Sequence, residues 1–188
     1  MKPAVVVALL ALCLLACAAD AKKGPKFPPA PKGSVVAMAS IGPTGTIKSN
    51  GKGTVRLVLG NSSFPHGLDV VLTGALGNIT MAHIHMGNST SSGPVRLPVL
   101  PWLVAPPLAA INPALSYKGS LNFMVPFNST HIAAFSGVPN VTAEASEATF
   151  RQYLSQGLLY FNVHTTAYPG GEIRGNFACA SKECAPVK

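Results

Sequence analysis

From Ser34 onward the chain breaks into eight short runs rich in β-prone residues, each closed by glycine, asparagine or proline. Several alternate apolar and polar side chains, a period of two that belongs to strands with one buried face. The runs are residues 34–40, 53–60, 68–76, 79–87, 95–100, 117–125, 158–165 and 171–178. One segment, 142–157, has helical character instead. Thr142 is its cap, acidic residues fall in the first turn, Phe150, Tyr153 and Leu154 make an apolar stripe, and Gly157 stops it. The expected fold is therefore all-β, an antiparallel β-sandwich or flattened barrel of about eight strands with one short helix.

The ends carry different information. Met1 and Lys2 lead into "AVVVALLALCLLACA", and Ala19-Asp20-Ala21 supplies small residues for cleavage, so 1–21 reads as a secretory signal peptide. A rival reading takes Leu14-Leu15-Ala16-Cys17 as a lipoprotein box, with Cys17 lipidated. Five Asn-x-Ser/Thr triplets, at Asn61, Asn78, Asn88, Asn128 and Asn140, favour a eukaryotic secreted, extracellular glycoprotein. Residues 22–33 form a basic, proline-rich linker, 34–178 the β-domain and 179–188 a tail in which Cys179 and Cys184 pair as a small disulfide. No later segment reads as a transmembrane helix, because the most apolar one, 97–115, contains five prolines. That stretch reads as an extended excursion, with Trp102 covering an open end of the sheet.

The formal charge of +8 falls mostly on the ends, which are expected to be mobile. Between Ser34 and Ala178 seven Lys and Arg residues face four acids, leaving +3. Basic tails suit extracellular matrix, cell-wall polymer or another protein partner. Nucleic acid is not expected in an exported chain with so few aromatics beside its basic residues. The sequence does not specify an oligomeric state.

Two blocks stand out. "MAHIHMGNSTSSGPVRL", 81–97, sets His83 and His85 on one side of a strand, with Cβ atoms roughly 7 Å apart. "LLYFNVHTTAYPGGEIRGNF", 158–177, reads as a hairpin about Tyr168-Pro169-Gly170-Gly171. Its alternation places Tyr160, Asn162 and His164 together, and Glu172 beside Arg174. If the two blocks pair, three imidazoles converge, a ligand set for zinc or copper. The competing reading needs no cofactor: His83, His85 and His164 are seated in a buried polar network with Asn162, Glu172 and Arg174.

The blocks together resemble the CHRD family, the domain repeated in the extracellular antagonist chordin. The likeness rests on Ala82 to His85, Gly93 to Val95, Tyr160 to Thr165 and Pro169 to Gly175, in order and suitably spaced. It implies an all-β extracellular domain. Growth-factor binding is not implied, since chordin's separate cysteine-rich modules have no counterpart here. The chain departs from the pattern in the sequon at Asn88, three residues from His85, and in the length of the proline-rich stretch. The His-Ile-His strand also resembles, locally, that of copper/zinc superoxide dismutase, without that enzyme's later ligands.

Catalysis finds little support. There is no Gly-x-Ser-x-Gly elbow and no Cys-x-x-Cys. Of the acids, Glu144 and Glu147 read as helical and solvated, and Glu183 lies in the tail, leaving Asp69 and Glu172 as a poor pair for glycoside hydrolysis. His66 and His131 read as ordinary surface residues. The expected function is a non-enzymatic extracellular binding or structural role, with metal binding or metal-dependent redox chemistry as the alternative.

Overall fold

The computed structural model describes residues 25–61, 64–88, 90–100 and 115–184. The expected signal peptide with Cys17, the proline-rich residues 101–114 and the end of the tail lie outside the described residues.

Eight strands form one antiparallel sheet that curls into a flattened barrel: β1 (Val35–Pro43), β2 (Lys52–Leu59), β3 (His66–Met86), β4 (Val95–Leu100), β5 (Leu115–Phe127), β6 (Leu159–Thr165), β7 (Ile173–Asn176) and β8 (Ala178–Cys179). The axis of the architecture is β3. Its first half lies between β2 and β5, its second half between β6 and β4. β1 completes the circuit, pairing along β2 and then, at Gly42 and Pro43, with β7.

The sequence pattern predicts two strands, 68–76 and 79–87, where the structure has one of 21 residues. The Gly77-Asn78 pair bends the strand instead of ending it. Asn78 takes a left-handed φ of 52° at an irregularity between Leu76 and Ile79, a conformation asparagine tolerates better than most residues. Gly74, also left-handed, lets the chain pass Asn50: a Cβ there would stand 1.9 Å from the Asn50 carbonyl oxygen.

The core fills the space inside the curl. It takes Ala37, Ala39 and Ile41 from β1, Val55, Leu57 and Leu59 from β2, Leu68, Val70, Leu72, Ala82 and Ile84 from β3, and Leu159, Phe161 and Val163 from β6. α2 (Ala143–Ser155) covers one end, capped by Thr142 as expected, with Gly157 left-handed just beyond it. Its Phe150 and Leu154 are buried, each stabilising by about 1.5–3 kcal/mol relative to exposure. A short helix α1 (Ser129–Ala133) is an addition to the expected elements. Asn128 and His131 form its capping box, and five residues are too few to show a helical period.

Both ends of the domain are tied to the sheet. Cys179 and Cys184 are disulfide-bonded, with Cα atoms 5.3 Å apart, and Ala180 N–H donates to the Val36 carbonyl at 2.8 Å. The described part of the linker contacts the sheet. Arg56, paired with Asp69 at 2.6 Å, lies over the Phe27 ring at 4.9 Å and donates to the Pro28 carbonyl. A guanidinium can hold a carboxylate and an aromatic face together, which is how a proline-rich segment acquires a fixed seat.

Candidate metal centre

Alternation along β3 and β6 decides which side chains meet. With Ala82, Ile84, Phe161 and Val163 in the core, His83, His85, Tyr160, Asn162 and His164 take the opposite face of the sheet. Register places His83 across from Asn162, His85 across from Tyr160 and Met81 across from His164. The three imidazoles converge as the sequence predicts. Ring centroids lie 5.0 Å apart for His83 and His164, 5.3 Å for His83 and His85, and 5.9 Å for His85 and His164.

This face is largely shielded from solvent although it lies outside the core. Gly93 within the first block bonds to His85 and Tyr160, while Pro169 and Gly170 in the hairpin turn bond to His164 and Asn162. His83 and His164 are buried, and Asn162 is only 2% exposed. The turn approaches so closely that a Cβ on Gly171 would stand 2.1 Å from Asn162 Oδ1, and its φ of 111° favours glycine as well.

Hydrogen bonds assign the ring protons. His164 donates from Nδ1 to the Pro169 carbonyl at 2.7 Å, leaving a lone pair on Nε2. That lone pair faces His83 Nδ1 at 3.2 Å and Asn162 Nδ2 at 3.3 Å. His85 donates from Nδ1 to the Gly93 carbonyl at 2.9 Å, and its own Nε2 is buried with no hydrogen-bond partner. The His85 ring is stacked flat on Tyr160, 5.0 Å between centroids and 8° between planes. Two imidazoles thus have one nitrogen fixed by a carbonyl and the other presented as a lone pair, the arrangement that orients histidine toward metal ions.

Burial, and then the neighbouring His164 and His85, lower the His83 pKa to about 4. Burial also lowers that of His85; the Gly93 bond opposes the shift, while His164 and Arg174 add to it. Both rings are neutral at pH 7, the form that binds a cation. One ligand nitrogen from each histidine lies within 4.8 Å of the other two. Around a tetrahedral zinc at about 2.05 Å, ligand nitrogens stand about 3.3 Å apart. The His83 Nδ1 to His164 Nε2 spacing of 3.2 Å already matches once the His83 proton moves to its other nitrogen.

Comparison with known proteins bears on the same two blocks. The family model for the CHRD domain matches residues 34–177. The chain belongs to this family. No curated protein and no solved structure matches it. The match spans β1 to β7 and includes all three histidines of the centre.

The other site residues expected of this CHRD domain divide between the centre and its surroundings. Asn162 joins the histidines. Glu172 turns its oxygens to Ser49 at 2.5 Å and Thr165 at 2.7 Å, fastening the loop after β1 to the end of β6. Arg174 lies over the outer face of Tyr160, 5.4 Å from its centroid. Asn61, Asn78, Asn88, Asn128 and Asn140 are all exposed. Two of them already work as turn formers: the Asn88 side-chain oxygen accepts from Thr90 and Ser91, and that of Asn128 caps α1.

A second cluster lies elsewhere and corrects two expectations. His66 is buried, not a surface residue, and its Nε2 meets Glu147 at 3.0 Å. Glu147, expected to be solvated, also accepts from Ser129 and from Arg151, which donates from Nε at 2.8 Å. Burial pushes the Glu147 pKa up, but hydrogen bonds from Ser129, Arg151 and His66 outweigh it and hold the carboxyl below its usual value. Glu147 and Arg151 at i, i+4 are a visible signal for the pair. The contacts to His66 and Ser129, 81 and 18 residues away, are not. His131 is half-buried and serves the α1 cap.

Proposed function

We propose that this chain is an exported CHRD-domain glycoprotein that binds one divalent transition-metal ion, zinc or copper, through His83, His85 and His164, and catalyses no reaction. The observation that carries the reading is His85 Nε2, a buried lone pair with no partner aimed into a cluster of imidazoles. Leaving such an acceptor unmet costs about 1–3 kcal/mol, which a bound ion removes. Imidazole ligands suit zinc and copper over calcium or magnesium. Family membership supports an extracellular-type domain, the disulfide between Cys179 and Cys184 fits an oxidising compartment, and five exposed sequons supply acceptors for glycans. The basic ends provide contacts for acidic extracellular polymer.

Elemental analysis of untagged protein purified without added metal tests the reading. Near-stoichiometric zinc or copper is expected, and its loss in a His83→Ala/His85→Ala variant. A metal-free wild type that does not take up zinc on titration contradicts it. Glycan removal is expected to lower the apparent mass by several glycans, and no shift returns weight to lipidation at Cys17.

The competing polar network is favoured by one contact, the His83 Nδ1 to His164 Nε2 pair at 3.2 Å, which one shared proton satisfies. It offers nothing to His85 Nε2. The same metal measurement separates the two.

A further inference from the structure

A three-histidine site leaves a fourth position, and what fills it decides whether the ion is held or works on a substrate. We propose that Asn162 fills it, its side-chain oxygen closing the coordination sphere; this rests on the tri-histidine reading above. Asn162 is almost wholly buried, stands directly across the strand pair from His83, and has an oxygen with no hydrogen-bond partner. Neutral amide oxygen is a weaker donor than carboxylate, but a buried one without a protein partner breaks no hydrogen bond within the fold when it takes a cation.

The amide is poised for this. Its nitrogen faces two acceptors, His164 Nε2 at 3.3 Å and the Gly170 carbonyl at 3.4 Å, as a donor should. That nitrogen stands about one tetrahedral edge from His164 Nε2, the same spacing His83 shows on the other side. A half-turn about Cβ–Cγ exchanges nitrogen for oxygen at that point. The cost is the long bond to Gly170, whose carbonyl then faces the amide oxygen, and the cation replaces the hydrogen that had faced the His164 lone pair. Gly171, with no side chain, leaves the amide the room it occupies. A closed set of three imidazoles and one amide makes the ion a resident of the fold, with no position for a reacting molecule.

Cobalt(II) reports the difference, since its visible spectrum changes when a fourth ligand is exchanged. The wild-type protein loaded with cobalt is expected to ignore millimolar azide. Asn162→Ala opens the position, so its cobalt form takes up azide with a spectral shift and its zinc affinity falls by roughly tenfold or more. Asn162→Asp keeps an oxygen donor, stays silent to azide and binds zinc at least as tightly as wild type. If wild-type cobalt protein responds to azide as the alanine variant does, or Asn162→Ala leaves both azide response and zinc affinity unchanged, Asn162 is not a ligand although the histidines are. If wild type holds neither cobalt nor zinc, the tri-histidine reading fails first and takes this one with it. The azide response of wild type needs no variant to fold.

Discussion

The two buried histidine clusters of this domain differ in their company. His66 faces a carboxylate that also holds Arg151 and Ser129, so its Nε2 is met by an acid while its Nδ1 stays buried without a protein partner. His83, His85 and His164 face one another, and matching fails at His85 Nε2 and at Asn162 Oδ1. A histidine beside an acid fastens two elements; histidines beside histidines present lone pairs to one another, which a donor hydrogen or a cation can serve. One fold thus sets the same side chain in two different surroundings, one facing an acid and one facing other imidazoles.

The sharpest way to break the contrast is to add zinc. With free zinc about a thousandfold above its dissociation constant, wild-type stability should rise by about 4 kcal/mol in chemical denaturation. The rise should vanish in His83→Ala/His85→Ala and survive in Glu147→Ala. Equal loss in both variants makes the clusters one unit. Next in size, Glu147→Ala should cost about 2–4 kcal/mol with or without zinc, since it leaves Arg151 and His66 facing each other across a partly buried gap. A cost under about 0.5 kcal/mol reduces the junction to a surface pair.

Acid sharpens the comparison by window. His83 has a folded pKa near 4 against 6.5 unfolded, so between those values the unfolded chain binds more protons and stability falls as pH drops. The loss for metal-free protein is at most roughly 3 kcal/mol and is absent in His83→Ala. Glu147 runs later. Its pKa is depressed, so its contribution is present above the ordinary carboxylate value of 4.5 and is lost as pH falls below it. Denaturation midpoints from pH 7.5 to 3 should resolve the two steps. The smallest effect is expected for His66→Gln, about 1 kcal/mol by the same assay, because Glu147 keeps its Arg151 and Ser129 partners.

The difference between the clusters also explains what could be read from sequence. His83, His85 and His164 lie on two strands whose period of two fixes their face, so convergence needed only that the strands pair. The barrel, the helix and its Thr142 cap followed from the same kind of local rule. The fusion of two expected strands into β3 turned on whether Gly77-Asn78 bends or breaks the chain, and backbone pairing on both sides decided it. The His66 junction depends on where α2 packs, which is a property of the core. Glu147 and His66 carry no shared pattern that would announce their meeting. Likewise nothing in "KFPPAPKG" tells that Phe27 will find Arg56.

That last contact sets a length scale. Between Ala21 and the ring held by Arg56 there are only five positions, so a tag, dye or fusion partner joined in front of Lys22 starts from a point within about 20 Å of the barrel wall by chain length alone. Anything joined there has a short leash, and orientation relative to the sheet can be programmed by the choice of those few residues.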